Sequence, residues 1–190
     1  MAPTTCLVCI DMQNDFLLPE SPLCVARGMS CLPKVQEAVA AARTAGFPIV
    51  WVVREHHPTG IDVEWTRQHL FANGGGSTLP GSIGAQLVNG LTCEKADLIL
   101  VKRRFSAFMH THLDSMLRRV GIKNLVLCGV QTPNCIRATA VDGMGLDYRV
   151  SVLADATASK SDTVQEANLE DMRCMGIEVH STEEWTASLA

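Results

Sequence analysis

The chain has 190 residues, 47% of them hydrophobic, which is the size of one compact domain at about 150 residues per domain. With 16 Lys and Arg against 20 Asp and Glu, its formal net charge is -4, so it lacks the basic balance with which a nucleic-acid binder neutralises phosphates. No uninterrupted apolar run approaches the roughly 18 residues of a membrane span. Neither a nucleic-acid nor a membrane partner is expected.

The opening MAPTTCLVCID reaches Asp11 after a short apolar run with no basic segment ahead of it. A secretory signal or an Arg-rich transit peptide reads differently, and a cytoplasmic location is expected. The eight cysteines, at positions 6, 9, 24, 31, 93, 128, 135 and 174, are scattered, several inside apolar stretches. They read as buried free thiols rather than as a disulfide framework.

In chain order, residues 6–10 form the first short apolar run, the signature of a strand buried on both faces. An Ala-rich helical stretch over 32–44 follows, closed by Gly46, and then a second strand over 49–53. Residues 55–90 are irregular, with Pro58, Gly60, the glycines at 74–76, Pro80, Gly81 and Gly84. Long loops in compact domains are often functional, and this excursion over one sheet edge is the candidate substrate lid. A third strand at 98–101 leads to a helix over 110–120 with Gly121 behind it, a fourth strand at 125–128 and a helix over 135–144. A fifth strand at 150–153, a helix over 162–175 with Gly176 as its stop signal, and a short sixth strand at 177–179 complete the order. Apolar strands alternating with amphipathic stretches predict an α/β fold, a parallel sheet with helices on both faces, and residues 1–190 are read as a single domain.

In such sheets ligands bind beyond the carboxyl ends of the strands, so the residues following each apolar run are the place to look for chemistry. Asp11 follows the first run and Lys102 the third. After the fourth, the chain passes through Val130, Gln131, Thr132, Pro133 and Asn134 to Cys135. A carboxylate, an ammonium and a thiol would thus share one crevice. A helix N-terminus and a nearby ammonium both favour the thiolate, so Cys135 is expected to be the nucleophile with a lowered pKa. Asp11 would take its proton and return it to a leaving amine, Lys102 would balance the charge, and the N–H groups of Gln131 and Cys135 could hold an oxyanion.

DMQNDF at 11–16, KRRFSAF at 102–108, GVQTPNCIRATA at 129–140 and ADAT at 154–157 resemble, in order and spacing, the blocks of the isochorismatase-like cysteine hydrolases. The resemblance spans nearly the whole chain. It implies a three-layer Rossmann-like fold with a mainly parallel six-stranded sheet, and a catalytic triad that maps onto Asp11, Lys102 and Cys135. It also implies a cis peptide between Val130 and Gln131, which would turn the Gln131 N–H beside that of Cys135 into the oxyanion hole. Isochorismatases proper lack the cysteine, so the reaction implied here is that of the family's amidohydrolases. Those cleave small amides, ureides or carbamoyl groups through a thioester, with nicotinamide, N-carbamoylsarcosine and ureidoacrylate among the substrates. The family also implies a homo-oligomer and a small-molecule amide as substrate; the sequence names no further partner.

Nicotinamidases of that family carry a metal-binding Asp-x-His after the second strand. Here the stretch reads VVREHHP, in which Glu55 and His57 could imitate the pair and His69 add a third ligand. The spacing departs from the pattern, and no metal or cofactor is expected. Phe16, Phe105 and Phe108 flank the motifs and would suit a planar substrate or the core equally. Arg54 ends the second run at the same sheet edge and could hold a substrate carboxylate, although a surface salt bridge is the preferred reading. Cys6 and Cys9 form a C-x-x-C whose side chains should point to opposite faces of a strand, and the glycines at 74–84 lack the Lys of a phosphate loop. Two rival readings remain open: a metal-assisted nicotinamidase, and a catalytically silent member acting as a binding or assembly protein.

Overall fold

Six parallel strands form one sheet in the computed structural model, which describes residues 3–21 and 23–189. Met1, Ala2, Pro22 and Ala190, included in the expected unit, lie outside the described residues. The strands are β1 (Thr5–Ile10), β2 (Ile49–Arg54), β3 (Leu98–Lys102), β4 (Asn124–Val130), β5 (Arg149–Ala158) and β6 (Glu178–His180). Their spatial order is β3-β2-β1-β4-β5-β6. The chain therefore builds outward from β1 to β3, crosses back, and builds outward again from β4. That reversal between β1 and β4 is the topological switch at which open α/β sheets bind ligands.

Alternation along β1 splits the core in two. Leu7 and Cys9 face one apolar layer, which includes Val35, Ala38 and Ala42 of α2 (Leu32–Thr44) and Trp185 of α6 (Thr182–Ala187). Cys6, Val8 and Ile10 face the other, built from α3 (Leu113–Arg119), α4 (Arg137–Gly145) and α5 (Asp162–Cys174). Helices on both faces explain why β2, IVWVVR, is buried along its whole length, as parallel strands are. The two cysteines of the C-x-x-C lie on opposite faces, as their parity requires, and all eight cysteines are free thiols.

Several boundaries differ from the sequence expectation. The helix expected at 110–120 begins only at Leu113. The one expected at 135–144 is a π-helical turn, Thr132–Ile136, running into α4. Strand β5 runs on through the polar ADAT segment, because its polar groups have partners in the helical layers. Asp155 accepts hydrogen bonds from the Thr182 N–H and hydroxyl, both at 2.8 Å, and the Thr157 hydroxyl accepts one from Gln165 at 3.0 Å. A four-residue helix α1 (Asn14–Leu17) and the capping-box helix α6 were not expected. The excursion contains no strand. It makes 3-10 turns over Trp65–Gly74, interrupted by a kink at Ala72 and Asn73, and returns past α1 through a single bridge from Gln13 to Leu87.

The end of β4 is pressed against β1 at one glycine. Gly129 has φ +110°, and a Cβ there would stand 2.1 Å from the Ile10 carbonyl oxygen, with backbone rather than a yielding side chain in the way. Gly129→Ala should therefore cost more than about 3 kcal/mol of stability, read as a lowered midpoint of denaturant unfolding. A midpoint within error of the wild type would show that the two strands can part without loss.

Candidate active site

The sheet order converts four strand ends into one row. Lys102 ends β3, Arg54 ends β2 and is its direct register partner, Asp11 follows β1, and Cys135 lies five residues beyond the end of β4. Although β2 lies between β3 and β1, the Lys102 side chain still reaches Asp11 directly at 2.8 Å, and Arg54 stands beside the pair with its Nε 3.9 Å from the same carboxylate oxygen. All four are buried: Arg54 and Lys102 are 0% exposed, Asp11 1% and Cys135 3%. The Val130–Gln131 peptide is cis, and Asp11 has φ +53°, turning the chain sharply as it leaves β1.

The Lys102 ammonium uses all three of its donors. It lies 2.8 Å from Asp11 Oδ2, 3.3 Å from Cys135 Sγ and 3.2 Å from the Arg104 carbonyl. Burial, and then the negative charge of the Asp11 carboxylate, push the Cys135 thiol up from its ordinary value. Lys102 and Arg54 oppose that shift without reversing it. This corrects the expected lowered pKa. The sulfur is buried in a π-helical turn, so desolvation and like-sign repulsion from Asp11 outweigh the cations, and the neutral thiol is the favoured form.

Arg54 is no surface salt bridge. Its Nη2 points at Cys135 Sγ at 3.9 Å, its Nε is 3.9 Å from Asp11 Oδ2, and its Nη1 donates to Glu64 Oε2 at 2.9 Å. Burial alone would lower its pKa, but Cys135, Asp11 and Glu64 prevail, raising it and holding the guanidinium charged. Glu64 in turn is held below its ordinary range, because Arg54 outweighs the effect of burial. His56 stands behind the pair. Its Nε2 accepts from Arg54 Nη1 at 3.4 Å and its Nδ1 donates to Asp62 at 3.3 Å, an arrangement that assigns the neutral tautomer. Burial, then Arg54, lowers its pKa in agreement.

The buried Gln13 side chain fixes the backbone of this arrangement. It donates to the carbonyls of Arg54 and Ala85, each at 2.8 Å, and accepts from the Arg54 N–H at 2.7 Å. One amide of the DMQNDF block thus ties the end of β2 to the returning excursion.

A family model for the isochorismatase domain matches residues 5–184 of the chain. The chain belongs to the isochorismatase family. A probable inactive nicotinamidase of Arabidopsis thaliana is 44% identical, covering 98% of this chain and 96% of that protein. A ureidoacrylate amidohydrolase of Methylorubrum extorquens is 34% identical, covering 82% of this chain and 70% of that one. Among solved structures, an isochorismatase family protein of Desulfovibrio vulgaris has 45% identity and a TM-score of 0.95, with 98% of each chain covered.

Within this isochorismatase-family fold the other expected site residues separate. Phe105 belongs to the site, with the Arg54 and Arg67 guanidiniums 5.3 and 4.9 Å from its ring centroid. Phe16 does not. It packs in the apolar layer on the sheet face opposite Cys135. Phe108 stacks on Tyr148, with ring centroids 5.7 Å apart, as a core contact. Glu55, His57 and His69 do not converge, and among the described residues no group of three or more His, Cys, Asp or Glu is arranged to hold a metal ion. Strand parity is the reason: Arg54 and His56 turn inward together, leaving Glu55 partly exposed and His57 exposed, where its ring bonds the Thr59 hydroxyl at 2.8 Å.

The electrostatics give a test by pH. The rate of Cys135 alkylation by iodoacetamide, followed by peptide mass spectrometry, should rise with pH later than that of an ordinary thiol. Asp11→Asn removes the repulsion and should move the rise to lower pH, while Lys102→Met should move it higher. A shift in the reverse sense for either variant would contradict this assignment of charges.

Proposed function

We propose that this chain is a cysteine-dependent amidohydrolase acting on a small amide, ureide or carbamoyl substrate. The reading rests on the Lys102 ammonium, held between the Asp11 carboxylate and the Cys135 sulfur in a water-poor row of strand ends. A structural role would need no thiol there, and burying such charges is costly to stability.

As the sulfur attacks the substrate carbonyl, the thiol proton passes to Asp11 and a carbon–sulfur bond forms. The N–H groups of Gln131 and Cys135 receive the oxyanion, while Lys102 and Arg54 balance the negative charge that the sulfur brings. Collapse breaks the carbon–nitrogen bond as Asp11 returns the proton to the departing ammonia or amine. Water then adds to the thioester, Asp11 taking one of its protons, and the acid leaves as that proton goes back to the sulfur. The sum is one amide and one water converted to an acid and an amine, with the enzyme restored.

The neutral resting thiol fits this sequence, since the proton to be delivered to the leaving group is carried on the enzyme before substrate arrives. The metal-assisted nicotinamidase reading loses support, because Glu55, His57 and His69 do not converge. We place the enzyme in the cytosol, in keeping with its free cysteines.

Ammonia release should be measured on a panel of nicotinamide, ureidoacrylate, N-carbamoyl amino acids and simple carboxamides. At least one should be cleaved, with the rate falling about a thousandfold or more in Cys135→Ala. Cleavage surviving in that variant would refute the nucleophile. Silence across the panel, together with a Cys135 inert to iodoacetamide, would favour the silent family member, the reading to which the name of the Arabidopsis relative points.

A further inference from the structure

The excursion carries a second guanidinium to the aromatic ring against which Arg54 lies. Arg67, in the 3-10 turns, lies over the Phe105 ring at 4.9 Å from its centroid, while Arg54 lies against the same ring at 5.3 Å. Arg67 is partly buried, and among the described residues its side chain has no hydrogen-bond or salt-bridge partner. Burial, and then the like charge of Arg54, lowers its pKa, against the opposing influence of Glu64 and, more weakly, of Cys135 and Asp11. A desolvated cation beside another cation is unfavourable unless an anion joins them.

Glu64 acts on Arg67 as well as on Arg54, but the anions of the site are fewer than its cations. Lys102 and Arg54 already face Asp11 and Glu64, and Arg103 is paired with Asp62. With Cys135 as a thiol, Arg67 leaves the row with an excess positive charge. Arg54 is also incompletely used, because its Nε is buried without a hydrogen-bond partner. A guanidinium stacked on an aromatic face keeps its in-plane N–H groups free for a carboxylate.

We propose that Arg67, together with Arg54, binds a carboxylate on the acyl portion of the substrate, making the enzyme selective for anionic small amides and ureides over neutral ones. This rests on the hydrolase reading above and narrows its substrate class. The two guanidiniums would orient the acyl group while its carbonyl meets the sulfur, 3.9 Å from Arg54 Nη2. Sequence reading could not reach Arg67, because it lies in the irregular excursion, 13 residues beyond the end of β2.

The test uses two reagents that differ in charge, iodoacetate and iodoacetamide, at one fixed pH. Alkylation of each cysteine is followed by peptide mass spectrometry, with the exposed Cys174 as internal reference. In the wild type the iodoacetate-to-iodoacetamide rate ratio at Cys135 should exceed that at Cys174 by about tenfold. Arg67→Ala should bring it close to the Cys174 ratio, and Arg67→Lys should restore part of the difference. If Arg67 acted only on ionisation of the thiol, both reagents would slow together and the ratio would hold, which would overturn the inference and leave the hydrolase reading standing. If Cys135 resisted both reagents while Cys174 was labelled, at a fixed pH raised enough to ionise a buried thiol, the nucleophile itself would be refuted, and the inference with it.

Discussion

Everything at the carboxyl edge of this sheet is arranged around one ammonium group. Lys102 is fully buried, and the cost of enclosing its charge is met by three acceptors at hydrogen-bonding range: a carboxylate, a sulfur and a carbonyl. Removing one partner of such a set leaves an uncompensated charge in the interior, so each element that delivers a partner is constrained. Strand β1 must end with Asp11 turned sharply at positive φ, β4 must approach β1 closely enough to need Gly129, and the loop after β3 must fold the Arg104 carbonyl back onto the ammonium.

The same cluster explains why the protonation state runs against a first expectation. A cysteine near cations would ordinarily be read as a thiolate, yet here the cations are shared with Asp11, and burial disfavours any further negative charge. The outcome is a thiol whose ionisation is disfavoured, in a site whose net charge would change little if its proton passed to Asp11. In the proposed reaction Arg54 and Lys102 would act as fixed charges, pre-oriented by strand register and by Gln13 rather than reorganised at the moment of attack. The excursion completes the arrangement by bringing Glu64 and Arg67, so the chemistry is framed by regular strands on one side and an irregular segment on the other.

The alternation of apolar runs with helical stretches carried the α/β fold, because buried parallel strands are written as continuous hydrophobic residues. Asp11, Lys102 and Cys135 were legible for a related reason: each follows such a run, where a reactive group at a strand end stands out. Arg54 occupied the same kind of position and was misread, since nothing local tells that β2 lies between β3 and β1. Spatial strand order is a long-range property that periodicity does not carry. The polar second half of β5 was missed because its partners, Thr182 and Gln165, come from distant helices, and Phe16 and Phe108 could not be sorted between site and core without knowing which face each occupies. Gln13 illustrates the limit most plainly, for a buried glutamine joining Arg54 to Ala85 bridges segments 41 and 72 residues away.

On the proposed reading the buried charges serve chemistry and contribute little to holding the fold. The double substitution Asp11→Asn with Lys102→Met tests it directly, since asparagine tolerates the positive φ of position 11 and methionine fills the lysine's space without its charge. Denaturant unfolding should place the variant within about 1 kcal/mol of the wild type or above it, while cleavage of the best amide in the panel disappears. A variant that unfolds far more easily, or one that still turns over the amide, would contradict the account.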